Sequence, residues 1–476
     1  MSNLSGIIKS IRNLMRGDRG VNGDAQRIEQ LGWMMFLKIF DDKDQEMEII
    51  NDDYKSPIPE ELQWRNWAGD DEGITGDELL KFVDNELFPT LKDLVPGSMN
   101  KRVLIIREVF GGNNNYMKSG TIMRQVINKI NEGINFNRAD ERHVLNDIYE
   151  SILKELQSAG DSGEFFTPRA LTQFMAEIIN PKLGEKVLDP ACGTGGFLTS
   201  VIEHIRKNEV TNIEARKTLQ NCIHGIELKP LPFLLAITNL ILHDVEIPNI
   251  EYSNALLLDL TSITHKDKVD VILANPPFGG TVVDGEETNF PLNFRTRESA
   301  DLFLILFIKY LRDGGRSAIV LPDGSLTGEG VKSRIRRKLL EDCNLHTIVR
   351  LPNSVFQPYA SVATNLLFFE KGSPTKEIWY WEHKLPEGQK SYSKTKPIQP
   401  KEFDSLKKWW NDRIENKQAW KVSINTIAEN GYNLDIKNQH IEEVEHEFTS
   451  SELLDLLHNS FRKSDELLTK LKQELT

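Results

Sequence analysis

The stretch LANPPFGG, residues 273–280, ends an apolar run with a carboxamide, two prolines and an aromatic ring. Residues of these types in this order suit chemistry on a planar, conjugated amine. The lone pair of an exocyclic amine such as adenine N6 is delocalised into its ring, which makes the nitrogen a poor nucleophile. Two acceptors placed around its N–H bonds favour the pyramidal form and stabilise the positive charge that develops as a new bond is made. The Asn275 side-chain oxygen and the Pro276 carbonyl can supply those acceptors. Pro276 and Pro277 stiffen the turn because their φ is fixed, and Phe278 can stack on the face of a base. A base inside a duplex reaches such a pocket only by being flipped out of the stack. Taken alone, the same four residues also read as an ordinary turn at the end of a strand.

A second motif, about eighty residues earlier, narrows the choice. KVLDPACGTGGFLTSVIEHI, residues 186–205, reads as a strand, a glycine-rich turn and an amphipathic helix. Gly193, Gly195 and Gly196 allow the backbone to approach a ligand where a Cβ would collide. Asp189, ending the strand, is placed to meet a positively charged group in the crevice where open α/β sheets bind ligands. The turn is not G-x-G-x-x-G, and the acidic residue ending the next strand, Glu227, lies well beyond the offset of a dinucleotide site. No phosphate-cradling G-x-x-x-x-G-K-[ST] occurs. What fits is a nucleoside ligand whose ribose hydroxyls meet Glu227 and whose glycine-facing part is not a phosphate. S-adenosylmethionine has that form, and its sulfonium explains why a neutral carboxamide at Asn275 suffices.

The surrounding pattern must position these groups. Residues 1–158 read as helical, with apolar residues at three and four spacing in AQRIEQLGWMMFLKIFDD and ERHVLNDIYESILKELQ. Residues 159–375 alternate short β-type runs with helical segments: EKVLDP, CIHGIE, NIEYSN, VDVILAN, GRSAIVLP, LHTIVRLP and TNLLFFEK. That alternation predicts an α/β fold with a mostly parallel, Rossmann-like sheet covered by helices on both faces. Residues 376–476 form an extension that begins as a loose, Pro/Lys-rich stretch. It ends in a helix with Leu454, Leu457, Phe461, Ser464, Leu468, Leu471 and Leu475 along one seam. Such a seam packs on its own domain or on a partner helix.

At 476 residues, with 39% hydrophobic and 27% charged side chains, the chain has the composition of a globular protein. No apolar stretch is long enough for a membrane span, and the polar N-terminus is unlike a signal peptide, so the expected location is the cytoplasm. Cys192, Cys222 and Cys343 are too scattered for a disulfide framework or a Cys-rich zinc site, and Cys192 is read as packing. No metal site is expected. The net charge of −13 argues against a protein that grips nucleic acid over its whole surface. KSRIRRKLL, residues 332–340, reads as a solvated helix face or a local phosphate-contacting patch. Asp323 in PDGSLTGEGVK superficially suggests a nuclease carboxylate, but the E-x-x-K spacing that follows fits a loop after a strand better.

GEFFTPR (163–169), DPACGTGGFL (189–198) and NPPF (275–278) together resemble the motifs of the N6-adenine DNA methyltransferases, and over nearly the whole chain the pattern is similar to the modification (M) subunits of type I restriction-modification systems. The resemblance implies that Glu164, Phe165, Phe166, Thr167, Pro168 and Arg169 wrap the methionine part of S-adenosylmethionine, with the Thr167 hydroxyl near its carboxylate. Asp189, Thr194, Gly195 and Gly196 would face the methionine and its amino group, Glu227 the ribose and Asn254 the adenine. Asn275, Pro276, Pro277 and Phe278 would form the catalytic pocket, which Asp301, Leu302 and Phe303 would help to shape, with Phe356 as a second ring beside the flipped base.

Residues 372–476 carry 16 Lys and Arg against 18 Asp and Glu, a poor composition for gripping double-stranded DNA. The resemblance implies that a specificity (S) subunit reads the sequence in an M2S assembly, and that a restriction (R) subunit joins for cleavage. Methylation of cytosine N4 or of a protein glutamine, and a catalytically silent scaffold for a DNA complex, are the alternatives.

Overall fold

VDVILA, residues 269–274, is buried at every position. Val271 and Leu273 belong to one apolar cluster, and Ile272 and Ala274 to another. A strand that is hydrophobic on both sides needs cover on both sides, which is how a parallel sheet between helices differs from an alternating surface strand. The computed structural model describes residues 2–95, 101–133, 166–357, 360–438, 440 and 450–474. It divides into two units, Met1–Ile436 and Lys437–Thr476.

Within the first unit the described residues form a nine-stranded sheet of order β3-β2-β1-β4-β5-β7-β6-β8-β9. Its strands are β1 (Val187–Asp189), β2 (Ile223–Glu227), β3 (Ile250–Tyr252), β4 (Val269–Ala274), β5 (Leu311–Pro322), β6 (Cys343–Leu351), β7 (Thr364–Lys371), β8 (Glu377–Glu382) and β9 (Ala419–Ser423). β1 to β5 are parallel, and β7 runs antiparallel between β5 and β6. All seven β-type runs read from the sequence are strands. The switch point between β1 and β4 collects their carboxyl ends, so Asp189 and Asn275 emerge at neighbouring places on one edge.

Helices Arg169–Ile179, Gly196–Glu209 and Pro230–Leu242 cover one face, and Ser299–Tyr310 and Val331–Asp342 the other. The N-terminal helices pack on this domain through Pro230–Leu242. There Gly32 lies so close to Leu234 that an added Cβ would stand 3.0 Å from Leu234 Cδ2. Lys43 pairs with Asp244 at 3.1 Å, and Arg102 donates to the Glu246 carbonyl at 3.1 Å. The helical reading of ERHVLNDIYESILKELQ falls outside the described residues.

The stretch after residue 371 differs from the loose extension that its composition suggests. β8 pairs parallel with β6 and β9 antiparallel with β8, so the sheet continues to residue 423. EIWYWE carries its strand signal in Ile378 and three consecutive aromatic residues between two glutamates. The basic run KSRIRRKLL is engaged in contacts within the chain, with Arg336 alone among its basic residues buried. Arg336 is buried and donates to the Tyr432, Ser325, Thr327 and Gly328 carbonyls. Lys332 pairs with Asp301, Arg337 with Glu341 and Lys338 with Asp342, while Arg334 donates to the Asn293 carbonyl. In the second unit, helix Ser450–Glu474 leaves Leu454, Leu457, Phe461 and Leu468 exposed, and Leu453, Leu456 and Leu467 as well. Leu475 and the side chain of Leu471 lie outside what is described.

Arg316 on β5 closes the opposite edge of the sheet. It forks onto both Glu185 oxygens at 2.8 Å and donates to the Ile179 and Asn180 carbonyls that end helix Arg169–Ile179. Burial alone would raise the Glu185 pKa, but the Arg316 hydrogen bonds, the Lys182 N–H and the arginine charges outweigh it and hold the carboxyl below its usual 4.5. A depressed pKa contributes stability that is present above the unfolded value and lost as pH falls through the folded one. Arg316→Ala is therefore expected to cost roughly 1–3 kcal/mol at neutral pH. In urea melts the gap to the parent protein should narrow below about pH 4.5; a gap independent of pH would assign the loss to the helix end instead.

Candidate functional site

β1 ends at Asp189, which is buried. The chain then turns through Gly193 and Gly195, both at positive φ (54° and 78°), and enters helix Gly196–Glu209. The turn is stitched to β2: Cys192 N–H donates to the Ile226 carbonyl at 3.0 Å and Gly193 N–H to Glu227 Oε2 at 2.9 Å. Lys229 N–H donates to Glu227 Oε1 at 2.7 Å. These two bonds fix the Glu227 carboxylate against the turn. Burial first, and the Glu227 charge after it, push the Asp189 carboxyl well above the usual carboxylate range; the Ala191 N–H opposes them. Burial raises the Cys192 thiol as well, helped by Asp189 and Glu227, which keeps it protonated and inert.

Two residues that the sequence reading passed over hold this turn. Gly225 on β2 sits under it, where a Cβ would lie 2.9 Å from Leu198 Cδ1 and 3.0 Å from Cys192 Sγ. An isolated glycine inside a strand pattern was the available signal of such close approach. Asn239, buried in the otherwise apolar helix PLPFLLAITNLIL, donates from Nδ2 to the Thr194 carbonyl at 2.9 Å. Its polarity within that run was likewise a signal.

The second half of the site follows β4. Asn275 is half-buried, Pro276 buried, Pro277 exposed and Phe278 buried. Asn275 Nδ2 donates to Thr167 Oγ1 at 2.9 Å, whereas Asn275 Oδ1 is sealed from solvent and has no hydrogen-bond partner among the described residues. Ser299, another residue not anticipated, donates from Oγ to the Pro277 carbonyl at 2.9 Å and fixes the far side of the turn. Phe278 meets Phe356 edge to face, with ring centroids 5.9 Å apart. Asp301 is buried two residues beyond Ser299 and pairs with Lys332 at 3.0 Å.

The edge of the sheet thus brings Asp189, Thr194, Gly195, Gly196, Glu227, Asn275, Pro276, Pro277 and Phe278 to neighbouring strand ends, with Thr167 bonded across them. Asn254 follows β3; its Oδ1 caps the short helix Ala255–Leu257 and its Nδ2 donates to Glu286 at 2.8 Å. Phe166 and Pro168 flank Thr167, and Arg169 opens the next helix with its guanidinium on Glu203. Glu164 and Phe165 lie outside the described residues. Asp323 opens a short helix after β5 and accepts from Asn365 Nδ2 at 2.6 Å. Among the described residues no cluster of His, Cys, Asp and Glu could hold a metal ion, and no helix is long and apolar enough to cross a membrane.

An open α/β sheet with a glycine turn after β1, an acid after β2 and Asn-Pro-Pro-Phe after β4 is the arrangement of a nucleoside-cofactor methyltransferase. Residues 140–448 match the N-6 DNA Methylase family, and residues 4–130 match the HsdM N-terminal domain. The chain is 55% identical to the EcoEI type I restriction enzyme methylase subunit of Escherichia coli, across 91% of this chain and 90% of that one. A modification subunit of a type I restriction enzyme from Vibrio vulnificus YJ016 superposes with a TM-score of 0.85 at 44% identity, covering 94% of this chain and 98% of that one. A chain from a structural study of type I R-M complex assembly and conformational transition gives 0.82 at 34% identity, covering 99% and 98%. The chain therefore belongs to the N-6 DNA methylase family, among the modification subunits of type I restriction enzymes.

Gly225 offers a direct check on how the glycine turn is supported. Gly225→Ala must displace the Leu198 or the Cys192 side chain, an overpacking expected to cost about 1–3 kcal/mol in urea denaturation. An unchanged midpoint would mean that the turn is not pressed against β2.

Proposed function

We propose that this chain transfers a methyl group from S-adenosylmethionine to N6 of an adenine flipped out of double-stranded DNA, as the modification subunit of a type I restriction-modification complex. Sequence reading falls to a specificity subunit in an M2S assembly, and a restriction subunit joins for cleavage. The observation that carries the reading is Asn275 Oδ1: a buried acceptor with no partner, on a proline-stiffened turn, at the sheet edge that also bears the glycine turn. A buried unsatisfied acceptor costs about 1–3 kcal/mol, and in a native fold such a group calls for a functional explanation.

The residues present fit the cofactor. Gly193 has open space where a Cβ would stand, so its backbone can be approached closely. Glu227 is held at the end of β2 by the Gly193 and Lys229 N–H groups, a carboxylate placed to meet ribose hydroxyls. Asp189, whose carboxyl burial pushes well above the usual carboxylate range, suits a cationic amino group, which favours its ionised form. When bound, S-adenosylmethionine supplies the electrophilic methyl. Asn275 Oδ1 then accepts from the target amine, localises its lone pair and stabilises the charge that appears on nitrogen. Pro276 and Pro277 hold that oxygen in place without needing to reorganise, and Phe278, buried beside the turn, is braced edge to face by Phe356. Adenine is favoured over cytosine N4 or a glutamine amide by the N-6 DNA Methylase match. The type I relatives and the exposed leucines of helix Ser450–Glu474 support assembly with other subunits.

Co-expression with candidate specificity subunits, followed by mass spectrometry of plasmid nucleosides, should yield N6-methyladenine. Asn275→Ala should reduce the rate by about 10²–10³-fold while cofactor still binds. N4-methylcytosine as the product, or full turnover by Asn275→Ala, would remove the proposal.

The acid base chemistry of Asp189 gives a second test. A cation beside it favours the ionised form, so binding should release a proton, and cofactor affinity should fall as pH drops through the raised Asp189 pKa. Calorimetry in buffers of different ionisation enthalpy measures the proton released. Asp189→Asn should abolish that release and flatten the pH dependence; identical proton release by this variant would place the titrating group elsewhere.

A further inference from the structure

We infer that Thr167 is a positioning residue for methyl transfer: its hydroxyl oxygen accepts the Asn275 Nδ2–H and thereby sets which end of the carboxamide faces the target amine. The inference rests on the reading of Asn275 as the acceptor for that amine. A carboxamide presents an acceptor at one end and two donors at the other, in nearly the same shape. Rotated by half a turn about its terminal bond, Asn275 would aim N–H bonds at an amine that is itself a donor. The nitrogen lone pair would then stay delocalised. Steric fit cannot choose between the two orientations, so a hydrogen-bond partner must. Thr167 Oγ1, 2.9 Å from Asn275 Nδ2, is that partner, and the oxygen left over is the sealed, unbonded Oδ1.

The helix that begins two residues after Thr167 is braced. Pro168 follows Thr167 at the start of helix Arg169–Ile179, and its carbonyl accepts from Leu171 N–H at 2.8 Å. Thr172 on that helix bonds to Ser200 at 2.8 Å, both buried. Arg169 pairs with Glu203, which also faces His243 Nε2 at 3.3 Å. Ser200 and Glu203 belong to helix Gly196–Glu209, the one that leaves the glycine turn. The hydroxyl therefore reaches Asn275 from a helix braced against the cofactor half of the site. A threonine oxygen that accepts one bond keeps its hydrogen to donate, so the same side chain can also serve a cofactor carboxylate.

The test uses the full chain with its specificity partner, labelled S-adenosylmethionine and plasmid from a methylation-free host. Thr167→Val keeps the shape and removes the acceptor; Thr167→Ser keeps the acceptor. Val should lower the single-turnover rate at saturating cofactor by about ten- to a hundredfold, the scale of one well-placed hydrogen bond. Ser should restore most of it. Combining Thr167→Val with Asn275→Ala should add nothing to the Asn275→Ala loss, because one residue acts through the other.

Full rate in Thr167→Val, a loss that appears only as weaker cofactor binding by calorimetry, or additive losses in the double variant would each overturn the inference. Should valine impair folding in a thermal melt, Thr167→Ala takes its place under the same criteria. If Asn275→Ala itself retains full turnover, the reading of the site fails. A dead Asn275→Ala beside a fully active Thr167→Val removes the role of Thr167 alone.

Discussion

One carbonyl oxygen, Asn275 Oδ1, sits out of reach of water with nothing to bond to. An isolated peptide could not hold it there, because the chain would turn the amide toward solvent. It persists because β4 is buried on both faces and delivers the residue rigidly to the sheet edge. The two prolines remove backbone freedom just beyond it, Thr167 occupies the nitrogen end, and Ser299 grips the Pro277 carbonyl. Together they keep an acceptor desolvated, the condition under which a neutral dipole acts most strongly.

The glycine turn obeys the same logic with charge in place of a dipole. Asp189 and Glu227 lie at the ends of neighbouring strands, and their mutual repulsion adds to the burial that raises Asp189. Backbone N–H groups from the turn and from Lys229 draw Glu227 into position. Helix Pro230–Leu242 braces the turn through Asn239 and is also the surface on which the N-terminal helices rest. The helical region and the cofactor half of the site therefore share one support, so a displacement of that helix would be felt by both.

Charge is distributed sparingly toward nucleic acid. In a chain of net charge −13, the densest basic run is turned largely to internal use, with Arg336 capping loop carbonyls from a buried position and its neighbours paired along or beside the helix. Chemistry that depends on one extruded base needs a shaped pocket more than a long cationic face.

How much could be read in advance differed by element. The seven strands from EKVLDP to TNLLFFEK were legible because a doubly covered parallel sheet writes itself as short apolar runs between amphipathic helices. The motifs at Asp189, Glu227 and Asn275 were legible because strand ends put them on one edge. β8 and β9 were not, since EIWYWE and AWKVS are short runs set apart from the other strands by polar and Pro/Lys-rich sequence. The run KSRIRRKLL was ambiguous because composition cannot tell an arginine facing solvent from one facing carbonyls.

Sequence alone therefore determined the type of sheet, the order of the motifs and the kind of chemistry available to a carboxamide between an apolar strand and two prolines. Folding decided which groups touch across 108 residues of separation, as Thr167 and Asn275 do. It also decided that Gly225 and Asn239 support the glycine turn and that Arg336 faces inward. Local pattern records the conformation each segment prefers, whereas the pairing of donors with acceptors depends on where the packed elements leave them.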